Sequence, residues 1–335
     1  MSEDGPDHGL CRPKRQLLRR LGSWINRFLI RKRMSGQEVR QAHRTSGSLI
    51  PVPFIVGAGR SGTTLLRLML DAHPDLVIPP ETGFIPPAAK ACERASDPRQ
   101  TFLEIVMSHR RWEDFHIEGD LLTQRIGAIE PFDLSEALRA FYELYAKKFG
   151  KPRWGDKTPA YVRRMTLIQG LLPEARFIHL IRDGRDVFLS TKDLWFGPDS
   201  VEEAAQRWQN LIEKARRQSR ELPHYLEIRY EDLVSNTELT LRRISDFVDL
   251  PWSPSMLAYY KTAEERMSEI YRDIVAQKSE RLVRGEERKA IHYLTGKPPQ
   301  RDRIGRWRQE MSAADRGRFE EIAGETLRKL GYDVD

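Results

Sequence analysis

Residues 54–66 read Phe-Ile-Val-Gly-Ala-Gly-Arg-Ser-Gly-Thr-Thr-Leu-Leu. Phe54, Ile55 and Val56 suit a buried strand, the run from Gly57 to Gly62 suits a tight turn, and Leu65, Leu66 and Met69 open the apolar face of a helix. A glycine-rich turn that opens a helix is an anion site, because free backbone N–H groups and the positive end of the helix converge on one point. Gly57 and Gly62 have the spacing of a nucleotide phosphate loop, but Thr63 and Thr64 stand where that motif carries lysine and Ser/Thr. The cation is Arg60, three residues earlier. This loop is expected to hold a phosphate, and not the γ-phosphate and Mg²⁺ of a triphosphate.

Outward from the loop, short apolar runs predict strands near 53–57, 75–78, 176–181 and 225–229. Helical patterns separate them, which argues for an α/β fold with a central parallel sheet between two helical layers. Ser135 is the expected N-cap of a helix presenting Leu138, Phe141 and Tyr145 and stopping at Gly150. Glu202–Glu221 places Ala205, Trp208, Leu211, Ile212 and Ala215 on one side. Thr237–Val248 places Leu241, Ile244 and Phe247 likewise, and a last helix opens at Ser312 and ends before Gly331. The sheet needs neither 83–150, mainly helical, nor 253–310, mostly polar. Long connections of this kind form lids and substrate walls.

A chain of 335 residues with 39% hydrophobic and 31% charged residues reads as globular. Cys11 and Cys92 are too few for a disulfide framework. No apolar run approaches the ~20 residues that span a bilayer. The polar, acidic start does not look like a signal peptide, so a cytoplasmic enzyme is expected. The net charge of +7 favours anionic partners. Nucleic acid is not expected among them, because no interleaved basic–aromatic array is present. Residues 1–50 are read as a basic N-terminal arm and 51–335 as a single domain. Within the arm, 12–33 is dense in Arg and Lys with Leu17, Leu18, Leu21, Trp24, Ile25, Phe28 and Leu29 at helical spacing. Such a helix can lie on an anionic membrane or pack on its own domain.

Gly-Arg-Ser-Gly-Thr-Thr-Leu-Leu resembles the 5′-phosphosulfate loop of sulfotransferases that use 3′-phosphoadenosine-5′-phosphosulfate (PAPS). Arg176–Ser190, with Arg182 after a strand and Ser190 eight residues on, resembles the family's 3′-phosphate motif. Asp71-Ala72-His73-Pro74 with Glu81-Thr82, and Asp156-Lys157-Thr158-Pro159, resemble the tyrosylprotein sulfotransferase branch. Tyr230-Glu231-Asp232-Leu233 is a family-like turn after a strand. The resemblance runs in family order from about residue 53 to 250 and implies a P-loop-like α/β/α fold with PAPS as co-substrate and no metal.

The resemblance also implies roles. Arg60, Ser61, Gly62, Thr63 and Thr64 would hold the 5′ end of PAPS, Arg182 and Ser190 the 3′-phosphate, and Tyr230 the nucleotide. Glu81 would be the general base, with Lys157 and Arg60 offsetting charge in an in-line sulfuryl transfer to a hydroxyl or amine. His73 is the rival base, although its place at a helix end suits capping better. Arg185 reads as a surface residue. Leu194 stands where the branch carries another nucleotide-binding arginine. Gly305-Arg306-Trp307 resembles a late element that closes over the 3′-phosphate, with Arg301, Arg303 and Arg306 as candidate donors. The competing readings are a P-loop kinase or NTPase with an atypical loop and a non-catalytic nucleotide-binding protein. The acceptor (glycan, lipid, phenol or protein tyrosine) is left open.

Overall fold

A computed structural model describes residues 49–270, 272–275 and 281–334. The expected basic helix at 12–33 lies outside the described residues. Ile50–Asp335 forms one compact unit. Its parallel strands are β1 (Val52–Gly57), β2 (Leu76–Val77), β3 (Arg153–Trp154), β4 (Asp156–Lys157), β5 (Ala175–Ile181) and β6 (Tyr225–Arg229). The helices that matter below are α1 (Thr63–Asp71), α2 (Leu134–Lys148), α3 (Gly184–Thr191), α4 (Val201–Ser219), α5 (Thr237–Phe247), α6 (Gly285–Ala290) and α7 (Ala313–Lys329).

β1 is buried along its whole length and lies at the centre of a parallel sheet ordered β4-β1-β5-β6. Its side chains alternate between two cores, as the two-residue period of a strand requires. Val52, Phe54 and Val56 pack with Phe177 and the apolar faces of α2, α4 and α7. Ile55 packs with Ile178, Leu180 and Ile228 against α1 and α5 on the opposite side. The sheet is covered on both faces, which explains why its two inner strands, β1 and β5, read as nearly continuous apolar runs.

Register sets what the sheet delivers at its carboxyl edge. Ile55 lies opposite Lys157 and Phe54 opposite Asp156 on one flank, while Gly57 lies opposite Leu180 on the other. The polar two-residue strand β4 carries no apolar signal and was not expected. The four expected strands form close to their predicted bounds, and the helices of 201–219, 237–247 and 313–329 do too. Ser312 accepts from the backbone N–H of Asp315, as a capping residue should. The cap of α2 differs from expectation. Asp133, in extended backbone, accepts from the N–H of Glu136, and Ser135 already lies in the first turn. An aspartate two residues upstream supplies the same acceptor with a full charge at the positive helix end.

Candidate active site

The loop between β1 and α1 needs unusual backbone at defined points. Gly62 has φ +92°, and a Cβ there would meet Tyr230 Cδ2 at 2.5 Å. Arg60 itself adopts φ +67°, a conformation that L-residues adopt only under constraint. Gly62 caps α1 with no side-chain hydrogen bond, so the first N–H groups of the helix stay available to an anion. Thr63, Thr64 and the fully buried Ser61 line this turn, and Ser61 Oγ has no hydrogen-bond partner.

The sheet register places Lys157 beside this loop. Its ammonium, 5% exposed, contacts Glu81 Oε1 at 2.8 Å and donates to Thr64 Oγ1 at 3.4 Å. Glu81 follows β2, and its other oxygen takes Arg111 Nη2 at 3.0 Å. Burial by itself would raise the Glu81 carboxyl, but Lys157 and Arg111 overcome it and hold Glu81 well below the usual carboxylate range. Burial lowers the Lys157 ammonium, against the pull of Glu81. The turn carrying Glu81 is fixed from behind. Thr82 Oγ1 donates to Asp156 Oδ2 at 2.7 Å, Tyr142 donates to the same oxygen at 2.8 Å, and the Thr82 N–H donates to Thr158 Oγ1 at 3.0 Å. Asp156 is wholly buried, and burial pushes its carboxyl up to about 6.

A second cationic corner lies at the end of β5. Arg182 donates to the Arg60 carbonyl at 3.2 Å and the Arg303 carbonyl at 2.6 Å, and its guanidinium lies 4.5 Å from the Tyr230 ring centre. Arg182 Nε and Arg303 Nε are buried without a hydrogen-bond partner. Buried orphan donors carry a desolvation penalty that an anion would relieve. Arg60 Nε reaches Ser190 Oγ on α3 at 3.4 Å, so its side chain spans from the loop to the Arg182 corner. Burial and the neighbouring Arg182 lower Arg60 to about 10.

Arg60, Gly62, Thr63, Thr64, Glu81, Lys157, Arg182, Ser190 and Tyr230 therefore line one cleft of ≈ 800 Å³. Arg303 and Arg306 line it as well, whereas Arg301 donates to the Ser235 carbonyl. Trp195 and Phe196 line it beyond α3, in the stretch where Leu194 replaces the branch's arginine.

His73 does not belong to this site. Its Nδ1 accepts from the Asp75 N–H at 3.0 Å, and its Nε2 lies 2.8 Å from the Pro251 carbonyl. Both nitrogens are occupied by backbone groups, one just past the end of α1 and one at Pro251. Arg185 corrects the surface expectation. It is fully buried, paired with Asp183 and Glu320, and stacked 3.4 Å from the Trp307 ring centre. Partners more than 100 residues away remove it from solvent, and spacing within 182–190 cannot show them. Two residues at the centre of the site had no sequence signal. Arg111 lies in the helical insertion outside any motif, and His292 lies in the polar stretch 253–310. Among the described residues, no cluster of His, Cys, Asp and Glu could hold a metal ion, and no helix is long and apolar enough to cross a membrane.

Residues 51–254 match the model of the sulfotransferase family. The chain is 30% identical over 217 residues to protein-tyrosine sulfotransferase of Drosophila melanogaster, covering 62% of this chain and 40% of that protein. It is 28% identical over 292 residues to protein-tyrosine sulfotransferase 1 of Danio rerio, covering 85% and 73%. Against several relatives the match spans only about half of their length, as with the 52% of the Caenorhabditis elegans protein. Among solved structures, the sulfotransferase domain of the Synechococcus olefin synthase superposes with a TM-score of 0.54 at 22% identity, over 85% of this chain and 96% of that domain. The sulfotransferase domain from the curacin biosynthetic pathway gives 0.55 at 20%, over 86% and 100%. These likenesses show the fold.

Proposed function

Because this chain belongs to the sulfotransferase family, we propose that it moves the sulfuryl group of PAPS to an acceptor hydroxyl by in-line displacement. One observation carries the reading. A phosphate loop, a second cationic corner with orphan donors, and a carboxylate–lysine pair converge on a single cleft. The two phosphate corners suit a nucleotide phosphorylated at both ends of its ribose. In this reading the α1 N–H groups with Thr63 and Thr64 hold the 5′ end. Arg182 and Ser190 take the 3′-phosphate, and Tyr230 holds the Arg182 guanidinium in place.

An in-line transfer breaks the bond between sulfur and the bridging oxygen and sends its electron pair to the phosphate. Lys157 and Arg60 offset that charge. The acceptor oxygen bonds to sulfur and its proton passes to Glu81. Glu81 is ionised throughout the neutral range, so it is ready to accept a proton. Its contact with Lys157 must loosen as the lysine turns to the leaving oxygen, which raises the basicity of Glu81 when it is needed. This coupling makes the base responsive to the donor.

The acceptor side carries Arg110 and Arg111 next to Glu81. Those cations, with the named relatives, support a tyrosyl or other phenolic hydroxyl flanked by negative charge. Isothermal titration with adenosine 3′,5′-bisphosphate (PAP) and with ATP–Mg²⁺ separates this function from a kinase or NTPase. Mass-spectrometric detection of a +SO₃ product on an acidic tyrosyl peptide then tests the acceptor. Tight ATP–Mg²⁺ binding with no response to PAP refutes the reading.

A further inference from the structure

His292 follows α6 and lines the cleft. Its Nδ1 lies 3.4 Å from Arg60 Nη1. A guanidinium only donates, so Nδ1 accepts and the ring proton resides on Nε2. The ring sits in the joint field of Arg60, Lys157, Glu81 and Arg111. Burial first, then Arg60 and Lys157, hold its pKa well below the ordinary histidine range, so the imidazole is neutral at working pH. This fixes what the ring can do. With Nδ1 engaged and Nε2 protonated it has no lone pair to offer as a base. It does have one N–H donor that adds no charge to a pocket already crowded with cations.

We infer that His292 is a further catalytic residue whose Nε2–H donates to a non-bridging oxygen of the sulfuryl group during transfer. The inference rests on the sulfotransferase reading above. The sulfuryl group has to lie between Lys157, which serves the leaving oxygen, and Glu81, which serves the acceptor. The His292 ring lines the same cleft as both of these groups while anchored to the loop cation. His292 moves no proton. The sulfur–bridging oxygen bond breaks toward the phosphate, the sulfur–acceptor bond forms, the acceptor's proton goes to Glu81, and the imidazole holds an oxygen of the group in flight. A neutral donor held in place before the reaction is the kind of group that stabilises such a transition state.

PAP lacks the sulfuryl group, and this separates the inference from a purely structural role. With the full chain, His292→Ala is expected to lower kcat with PAPS by about 10²-fold while the Kd for PAP, measured by isothermal titration, changes by no more than about twofold. His292→Asn, which restores an N–H donor, is expected to recover part of the loss. The retained PAP titration also shows that the variants are folded. If PAP affinity falls in step with kcat, His292 is only a prop for Arg60 and the inference is overturned. A kcat for His292→Ala equal to that of wild type overturns it as well, with the sulfotransferase reading intact. A wild-type chain that does not bind PAP sinks that reading and this inference together.

Discussion

Replacing Glu81 by glutamine removes one charge from a site where the carboxylate contacts Lys157 at 2.8 Å and Arg111 at 3.0 Å. Glutamine keeps the shape, but it loses the charge, and its single oxygen can accept from only one of the two cations while its NH2 faces the other. Removing one partner of a buried ion pair costs about 3–5 kcal/mol. The Glu81 side chain is 27% exposed, and solvent screening reduces the expected cost to about 1–3 kcal/mol. The unliganded Glu81→Gln protein should therefore unfold at a lower temperature than wild type. An anion that reaches Lys157 replaces the missing counter-charge, so PAP should bind at least as tightly as in wild type and raise the Tm by more. Turnover should fall by about 10²–10⁴-fold, the usual size of a general-base loss. The penalty should shrink for a nitrophenol acceptor that is already ionised near neutral pH. Calorimetry with PAP, thermal melts with and without it, and turnover with acceptors of high and low pKa give the full pattern. His73→Asn serves as comparator and should act on stability alone, since both ring nitrogens face backbone. Turnover that survives Glu81→Gln, or a loss equal for both acceptors, refutes the base assignment. Weakened PAP binding refutes the charge argument.

Arg182→Ala should weaken PAP binding by about 1.5–3 kcal/mol, the range for a charge-assisted hydrogen bond, and erase most discrimination against the analogue lacking the 3′-phosphate; calorimetry with both nucleotides checks it. Asp156 titrates near 6 in the fold against an ordinary value of 3.8. The native state thus binds the extra proton between those values, and stability falls as pH rises through them. The expected loss between pH 4.5 and pH 7 is about 2 kcal/mol, and Asp156→Asn should remove it from denaturant midpoints compared at those two pH values. Equal pH slopes in the two proteins would contradict this account. Deleting residues 1–48 should leave turnover of a soluble acceptor near wild type while reducing sedimentation with anionic vesicles. Loss of soluble activity in the folded truncation would place the arm in the chemistry.

Much of this protein is written in short stretches of sequence. The glycine spacing of 57–62 sets the loop because only a few residue types tolerate the φ that Gly62 adopts, and because the Tyr230 ring leaves no room for a Cβ there. The apolar runs of β1 and β5 reveal the parallel sheet because both of its faces are buried. Arg182, Ser190, Glu81 and Lys157 stood out through stretches that resemble sulfotransferase motifs, and the fold brings all four to one cleft. Tertiary structure decided what those residues do to one another. Register alone brings Lys157 beside Ile55, and so within reach of Glu81, 76 residues earlier in the chain. The pairing of Glu81 with Arg111, the burial of Arg185 against Glu320 and Trp307, and the arrival of His292 at Arg60 all depend on long connections folding back over the sheet edge. Local spacing carries the backbone's own preferences. Charge, burial and proton affinity come from neighbours distant in sequence, and those exist only once the chain has closed on itself.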